Sequence, residues 1–261
     1  MHTKKQLLNL RVVDRVELNH QHVVLTCTSD EVLPPVLPGQ FAEISAGDTG
    51  RTYLRRPFSV HDYHKEANTL SFLIRIIGNG TALIASTRPG DSLSVIMPLG
   101  NSFSMPRKGE RVLLTGGGSG VAPLLLLAKA IEEQGGIPDI LVGARDRENL
   151  IGDAVFAHIG NLYTTTEDGS VGTKGLVIDH PIMQQLENRY SRIYTCGPDP
   201  MMKAVAALAE AHHTPCEVSL ENTMACGIGA CLCCVTETLE GNQCVCTEGP
   251  IFNSKRLKWQ H

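Results

Sequence analysis

Six of the nine cysteines lie within 21 residues near the C-terminus, and this cluster restricts the chain more than any other feature of the sequence. Cys226, Cys231 and Cys234 form a C-x4-C-x2-C run, and Cys246 follows twelve residues after Cys234. This is the spacing of the thiolate ligands in plant-type 2Fe–2S sites. A zinc site would more naturally combine two C-x2-C pairs, and disulfide bonds are a third alternative. The spacing favours an iron–sulfur site and therefore an electron-transfer protein.

A length of 261 residues indicates one large or two ordinary domains, and with 42% hydrophobic and 19% charged residues the chain can bury a full core in each of two halves. The net charge of −4, without a cluster of Lys and Arg, argues against nucleic-acid binding. No run reaches the ~18 apolar residues of a membrane span, and the N-terminus lacks the apolar run of a signal peptide. Nine cysteines without a secretory signal fit a reducing compartment. We therefore expect a cytoplasmic protein without a membrane anchor.

The first part of the chain consists of short β-rich runs that are separated by Gly, Pro and Asp. Runs at this spacing predict an antiparallel barrel or sandwich. One short helix is predicted over Thr81–Thr87, and a polar turn at Pro106–Glu110 marks the predicted domain boundary. The predicted strands are Val23–Thr28, Gln40–Ser45, Thr69–Ile77 and Ser92–Pro98.

From Arg111 onwards, apolar strands alternate with glycine turns and helices, which predicts a parallel, doubly wound α/β domain. After Glu221 we expect a third, small unit that is too short to hold a hydrophobic core and is organised by its metal. The predicted domains are therefore residues 1–105, 106–220 and 221–261. The predicted strands of the α/β domain are Arg111–Thr115, Asp139–Gly143, Leu162–Thr166, Arg192–Cys196 and Cys216–Leu220, and its predicted helices are Val121–Gln134 and Met201–His212.

Two glycine turns of the α/β domain follow predicted parallel strands. The first contains Gly116, Gly117, Gly118 and Gly120, and it would let a pyrophosphate approach backbone N–H groups at a helix start. Its alternative is a tight turn that needs glycine only for its geometry. The second turn is Cys196-Gly197-Pro198, where the thiol either lies against a nicotinamide or is a buried structural group. Arg145 or Arg147 could reach a cofactor phosphate or ribose, or be ordinary surface arginines.

Two motifs of the barrel domain are suited to binding a flavin nucleotide. Arg55 and Arg56 precede a rigid Pro57, and an arginine fork suits a diphosphate. About twenty residues further on, a helix start at Gly80 and Thr81 follows Arg75 and offers a second anion-binding N-terminus. The alternative for both motifs is a charged strand followed by a glycine turn.

In their order along the chain, R-P-F-S, G-N-G-T, G-G-G-S-G-V-A-P and C-G-P resemble the ferredoxin–NADP reductase superfamily over roughly residues 5–215. With M-A-C-G-I-G-A-C-L-C-C and C-T-E-G-P-I-F added, nearly the whole chain resembles the electron-transfer subunits of bacterial class 1B (NAD-dependent) dihydroorotate dehydrogenases. This resemblance implies a ferredoxin reductase-like fold, with an FAD-binding β-barrel domain, an α/β NAD-binding domain and a small C-terminal 2Fe–2S segment.

The resemblance also implies a partner and a set of cofactor-binding residues. The partner is an FMN-containing catalytic subunit that oxidises dihydroorotate to orotate in pyrimidine synthesis, and we expect a heterotetramer with two copies of each subunit. Electrons would pass from the FMN through the cluster to FAD and then to NAD as hydride. The implied FAD residues are Arg56, Pro57, Phe58, Ser59, Leu73, Ile74, Arg75, Gly80 and Thr81; the implied cluster ligands are Cys226, Cys231, Cys234 and Cys246.

Cys233 and Cys244 stand beside the predicted ligands and leave their assignment open by one or two positions. The C-x4-C-x2-C spacing favours Cys234, and the position directly before T-E-G-P favours Cys246. Cys27 and Cys216 are predicted to pack in the core. Two other functions remain: a reductase subunit of a different flavin and iron–sulfur complex, and a redox-sensing module without turnover.

Overall fold

The computed structural model describes residues 4–47 and 52–259, and its N-terminal part is a closed six-stranded antiparallel barrel. The strands follow one another around the barrel in the order β1-β2-β5-β4-β3-β6. A short helix, α1 (Asn79–Ala85), lies between β5 and β6. The strands are β1 (Gln6–Asn19), β2 (His22–Thr28), β3 (Phe41–Ile44), β4 (Arg56–His64), β5 (Thr69–Arg75) and β6 (Ser92–Leu99).

The barrel closes because β1 pairs with β2 on one side and with β6 on the other. Alternate side chains of the strands fill its interior, among them Leu10, Leu25 and Phe72, none of which is exposed. The barrel that the sequence predicted, with a sandwich as its alternative, is thus confirmed. Strand β1 was not predicted, because most side chains of its second half face solvent and interrupt the apolar pattern.

Helix α1 begins two residues before the predicted start at Thr81 and ends two residues before the predicted end at Thr87. The Thr81 hydroxyl accepts hydrogen bonds from the backbone N–H groups of Ile77 (2.9 Å) and Gly78 (3.1 Å). Because this side chain reaches back to cap the helix, Thr81 lies inside the first turn instead of opening it.

The second domain is built on a seven-stranded sheet of order β10-β9-β8-β7-β11-β12-β15, in which all neighbours but the last pair are parallel. This confirms the predicted α/β class and adds one antiparallel edge strand. The elements are β7 (Arg111–Gly117), α2 (Leu124–Glu133), β8 (Ile137–Ala144), α3 (Asp153–Phe156), β9 (Asn161–Thr166), β10 (Thr173–Lys174), β11 (Arg192–Cys196), α4 (Asp199–Ala211), β12 (Cys216–Ser219), β13 (Val235–Thr238), β14 (Gly241–Cys244) and β15 (Ile251–Asn253).

The helix predicted over Val121–Gln134 is shorter than expected. A 3₁₀ turn covers Gly118–Val121, and α2 starts only after Pro123. The start of this helix also contacts the barrel, since His61 Nδ1 lies 2.9 Å from the Ala122 carbonyl oxygen. Lys129 on the same helix donates to Asp62 over 2.6 Å. These contacts hold the two domains against each other.

The cysteine-rich segment is not a separate unit without a core. Strand β15 adds to the edge of the α/β sheet through β12, with Val218 opposite Phe252. Val245, Phe252 and Leu257 are buried in the same apolar cluster as Leu113 of the α/β domain. The neighbouring sheet thus supplies a core for the apolar residues of this segment, and its organisation by a metal stays a prediction. No helix in residues 4–47 and 52–259 is long and apolar enough to span a membrane.

Candidate functional site

A cleft of about 540 Å³ opens at the carboxyl ends of the parallel strands of the α/β domain. This is the edge at which open α/β sheets bind ligands. Both glycine turns singled out in the sequence reach it: Gly117, Gly118 and Gly120 come from the turn after β7, and Gly197 and Pro198 from the turn after β11. The cleft therefore has the position and lining expected of a dinucleotide site.

The two glycine turns are packed backbone against backbone. A Cβ atom added to Gly120 would lie 2.4 Å from the Cys196 carbonyl oxygen and 2.5 Å from Gly197 Cα. A Cβ atom on Gly116 would lie 2.8 Å from Val121 Cγ1, and Gly116 is not part of the cleft lining. Gly116 thus allows the close turn, whereas Gly120 brings the two halves of the cleft together.

The Cys196 thiol lies directly behind the cleft wall. Its side chain is completely buried and does not line the cleft, and Sγ lies 3.7 Å from Glu221 Oε1. Burial raises the pKa of Cys196 well above its usual value. Glu221 is exposed to the cleft, and desolvation by the protein around the cleft raises the pKa of its carboxyl. The thiol is therefore a protonated packing group beside the cleft and no nucleophile.

Of the two arginines considered for the cofactor phosphate or ribose, only Arg145 lines the cleft. Arg147 instead forms an ion pair with Asp153. Glu167 and Asp199 also line the cleft, so its charged residues are of both signs.

The barrel contributes Arg75, Gln21 and His22 to the cleft. His22 is 3% exposed, and its Nδ1 lies 2.9 Å from Asn19 Oδ1. Burial, with a smaller contribution from the positive charge of Arg75, lowers the pKa of His22 to about 4. Since the amide oxygen of Asn19 can only accept, the neutral ring carries its proton on Nδ1.

The two predicted flavin motifs meet at the start of α1. A Cβ atom added to Gly80 would lie 2.7 Å from Arg56 Nη2, so the guanidinium of Arg56 covers the backbone of the first helical turn. Arg56, Pro57, Phe58 and Ser59 are all half-buried along β4. Of Leu73, Ile74 and Arg75, only Arg75 reaches the cleft, whereas Ile74 packs in the barrel core and Leu73 against the α/β domain.

The four predicted cluster ligands form two pairs of sulfur atoms. The Cys226 and Cys231 thiols contact each other, and so do those of Cys234 and Cys246. The backbone N–H of Cys246 also lies 3.4 Å from Cys234 Sγ. No three His, Cys, Asp or Glu side chains in the described part of the chain stand close enough to hold one metal ion. Two pairs of thiols suit a cluster of two irons better than a single ion with four ligands.

The loop after Cys226 turns its backbone N–H groups toward the sulfur. The Ile228 N–H lies 3.5 Å from Cys226 Sγ, and Gly227 and Gly229 adopt the left-handed φ angles of +65° and +85° that such a turn needs. These N–H groups, that of Ile228 first, lower the pKa of Cys226 to about 6. The loop therefore favours a thiolate at Cys226, the form that binds iron, whereas burial raises the pKa of Cys246 to about 12.

The two additional cysteines differ in their surroundings. Cys233 is exposed, whereas Cys244 is half-buried and its thiol contacts that of Cys234. Cys27 and Cys216 are buried, in the barrel core and in the core of the α/β domain.

Three polar residues of these sites were not found from the sequence: His22, Glu43 and Glu221. Glu43 stands in the apolar run F-A-E-I, and a charged residue at such a position was the available signal. His22 and Glu221 gave no comparable signal, because each comes near its site only through contacts between distant parts of the chain.

Two family models match the chain. The model described as the iron–sulfur cluster binding domain of dihydroorotate dehydrogenase B matches residues 221–258. The oxidoreductase NAD-binding domain matches residues 114–207.

Several relatives are named as the electron transfer subunit of dihydroorotate dehydrogenase B (NAD(+)). The one from Caldanaerobacter subterraneus subsp. tengcongensis is 40% identical over 219 residues, which cover 82% of this chain and 84% of that protein. The one from Shouchella clausii is 32% identical over 255 residues, which cover 95% and 97%.

Solved structures share the fold. An NADH-dependent reduced ferredoxin-NADP oxidoreductase structure superposes with a TM-score of 0.86 at 30% identity and covers 96% of this chain and 90% of that one. A ferredoxin NADP+ reductase from Neisseria gonorrhoeae with bound FAD and NADP has a TM-score of 0.66 at 20% identity and covers 81% and 92%. The latter likeness shows the fold alone.

Proposed function

The chain belongs to the family of electron-transfer subunits of NAD-dependent dihydroorotate dehydrogenase B. We propose that it accepts electrons from a catalytic subunit that oxidises dihydroorotate, and that it passes these electrons to NAD+ in pyrimidine biosynthesis. The observation that carries the proposal is the arrangement of the cysteine loop: two thiol pairs lie in a segment that shares one apolar core with the dinucleotide-binding domain.

For FAD, we propose that Arg56 and the start of α1 bind the diphosphate. The guanidinium already lies over the Gly80 backbone, where a larger residue would displace it, and Thr81 shapes the turn beside it. Half-buried side chains along β4 would orient the flavin ring, together with the residues at the end of β5. The complete proposed set is Arg56, Pro57, Phe58, Ser59, Leu73, Ile74, Arg75, Gly80 and Thr81.

For NAD, the proposed binding surface is formed by the two glycine turns at the edge of the sheet. Their backbone N–H groups can approach a pyrophosphate because no side chains intervene. Cys196 would fill the space behind the nicotinamide as a buried thiol. The proposed set is Gly116, Gly117, Gly118, Gly120, Cys196, Gly197 and Pro198.

For the 2Fe–2S cluster, the proposed ligands are Cys226, Cys231, Cys234 and Cys246. Their sulfur atoms are paired two by two, and backbone N–H groups face Cys226, so the donor set suits iron with bridging sulfide. When bound, FAD, cluster and NAD+ supply the electron-carrying chemistry, with the flavin converting between single electrons and a hydride.

We further propose that the partner is an FMN-containing catalytic subunit, in a cytoplasmic heterotetramer with two copies of each chain. The side chains of Ile228 and Leu232 beside the cysteine loop are 48% and 65% exposed and apolar, which supports a covering subunit at this surface. Nine free thiols suit a reducing compartment.

The test is the division of labour between the subunits. The purified chain loaded with FAD and cluster should reduce artificial dyes with NADH but form no orotate from dihydroorotate, whereas the complex with the catalytic subunit should do both. Orotate formation by the isolated chain would contradict the proposal, and absence of NADH–dye activity would favour a redox sensor.

A second candidate is a reductase subunit of a different flavin and iron–sulfur complex. The 30% identity to the NADH-dependent reduced ferredoxin-NADP oxidoreductase structure over 96% of this chain favours it. Mass spectrometry of the protein that co-purifies with the chain from its own cells distinguishes the two, since only the first candidate requires a dihydroorotate-oxidising partner.

A further inference from the structure

Glu43 is an ionisable residue that none of the assigned roles uses. It lies on β3 with no exposed surface, and neither of its carboxyl oxygens has a hydrogen-bond partner within the described residues. A buried carboxyl without a partner is costly for folding, because water solvates it far better than protein does. Such a group calls for a functional explanation.

The carboxyl of Glu43 points out of the barrel and toward the cysteine loop. Side chains of a strand alternate between its two faces. Ala42 and Ile44 pack in the barrel core, whereas Phe41, on the same face as Glu43, packs in the apolar cluster that contains Cys234 and Cys246. Glu43 therefore lies between the barrel and the iron–sulfur segment.

The contact with the cysteine loop is made at the residue that follows Cys226. A Cβ atom added to Gly227 would lie 2.5 Å from Glu43 Cγ and 3.1 Å from Oε1. Only glycine lets the loop backbone come this close to the carboxyl. On its other side, Glu43 is paired in register with Pro57 of the proposed flavin-binding strand.

Among residues 4–47 and 52–259, the charged groups that face Glu43 form no ion pair with its carboxyl. Arg55 donates to the Ser94 carbonyl oxygen (2.6 Å) and hydroxyl (2.9 Å) and, more weakly, to the backbone oxygen of Glu43 (3.4 Å). Arg56 is directed to the backbone around Leu54 and Gly80. Burial raises the pKa of Glu43. The positive charges of Arg55 and Arg56 oppose this shift in part, but neither guanidinium forms an ion pair with the carboxyl in the described part of the chain, where the carboxyl is ionised in alkaline solution.

We propose that Glu43 is a positioning residue of the iron–sulfur site, whose buried charge beside the Gly227 backbone lowers the reduction potential of a cluster held by Cys226. A fixed negative charge disfavours the arrival of an electron, and in a buried site this effect is screened little. Charges and polar groups around the ligands are among the known determinants of cluster potentials. The inference rests on the proposed ligand set. It assigns to Glu43, a residue of the barrel domain, an effect on the cluster that these ligands would hold.

The test is a potentiometric titration of the cluster, followed by electron paramagnetic resonance, in the complex with the catalytic subunit and in alkaline buffer. Glu43→Gln keeps the shape of the side chain and removes its charge, so the midpoint potential should shift to more positive values. Glu43→Asp keeps the charge and should return the potential toward that of the wild type. Glu132→Gln, an exposed glutamate on α2, is the matched control and should leave the potential unchanged.

An unchanged potential in Glu43→Gln, with full cluster and FAD content, would overturn the inference while leaving the proposed function intact. If Glu43→Gln holds no cluster but Glu43→Asp does, the requirement for charge is supported. Loss of the cluster in both variants would overturn it, because packing alone would then explain the residue. A wild-type protein without a 2Fe–2S signal would overturn the proposed function itself, and this inference with it.

Discussion

At the scale of single residues, the six neighbouring thiols of the cysteine-rich segment differ in the contacts that their sulfur atoms make. Four of them form two contacting pairs, Cys226 with Cys231 and Cys234 with Cys246, while Cys233 is exposed and outside both pairs. Cys244 touches Cys234 but follows the loop at the end of β14. Contact alone does not separate Cys246 from Cys244, because both touch Cys234. The prediction of Cys246 as the fourth ligand rests on its position directly before T-E-G-P.

Serine substitution of each of Cys226, Cys231, Cys234 and Cys246 is expected to abolish the visible absorbance of the cluster, because two irons need four thiolates. Cys233→Ser and Cys244→Ser should retain the absorbance and serve as matched controls in the same segment. Loss of the cluster in Cys233→Ser together with its retention in Cys234→Ser would show that the ligand assignment is shifted by one position.

His22 should make the folded protein less stable in acid. Its folded pKa of about 4 lies below the usual value of 6.5, so between these values the unfolded chain binds a proton that the folded chain excludes. The free energy of unfolding should therefore fall as the pH decreases from 6.5 toward 4, by an amount on the order of 3 kcal/mol for this residue.

Urea denaturation at several pH values measures this effect. His22→Gln should flatten the decrease, whereas His158→Gln, which removes an exposed imidazole, should leave it unchanged. Equal slopes for wild type and His22→Gln would show that His22 is not buried in its neutral form.

At the scale of elements, the dinucleotide cleft depends on the fit between two turns that belong to neighbouring parallel strands, β7 and β11. Gly120 lies against the backbone of Cys196 and Gly197, so no rotation of a side chain can make room for an added methyl group. Gly118 in the same turn faces open space and is constrained only by its left-handed φ of +55°.

Gly120→Ala should lower the free energy of unfolding by at least about 2 kcal/mol and weaken NADH binding, because the two turns must move apart. Gly118→Ala is the matched control and should cost only about 1 kcal/mol, the usual penalty of a left-handed backbone with a side chain. Urea denaturation and NADH titration measure both effects. An equal loss of stability in the two variants would contradict the close contact of the turns.

At the scale of the whole molecule, the barrel, the α/β domain and the cysteine-rich segment share their cores. Phe41 and Leu99 of the barrel, Leu113 of the α/β sheet and Phe252 of the C-terminal segment belong to one apolar cluster. The cysteine loop is held at the edge of this cluster, with the apolar Leu232 65% exposed next to it. This arrangement leaves the loop open to a partner while its base is rigid.

Leu232→Asp is expected to weaken association with the catalytic subunit by about tenfold or more. The complex would lose the apolar contact of one buried leucine and would have to bury a charged side chain instead. NADH–dye activity should persist, because the dinucleotide cleft lies in another part of the molecule. Leu239→Asp is the matched control, since Leu239 is 66% exposed on the turn between β13 and β14. Analytical ultracentrifugation of the mixed subunits measures the association, and normal assembly of Leu232→Asp would place the interface elsewhere.

The features that depend on neighbours in the chain could be predicted from the sequence. The spacing of Cys226, Cys231 and Cys234 indicated the cluster type, and the turns after Thr115 and Cys196 indicated a dinucleotide fold, because ligand loops and glycine turns are built within a few residues. The barrel followed from the spacing of the short β-rich runs, and the α/β class from the alternation of apolar strands with glycine turns and helices. Family membership followed from the order of the motifs.

How these parts meet could not be predicted from the sequence and is seen only in the folded chain. It brought Glu43 of the barrel against Gly227, buried His22 beside Arg75, and joined β15 to β12 as an antiparallel edge strand. It also separated residues that the motifs had grouped: Gly117 and Gly120 line the cleft, whereas Gly116 and Cys196 lie behind it. The physical reason is the same in each case. These contacts are made between residues that are far apart in the chain. They depend on how whole strands and helices pack against one another, and a local sequence pattern does not specify that packing.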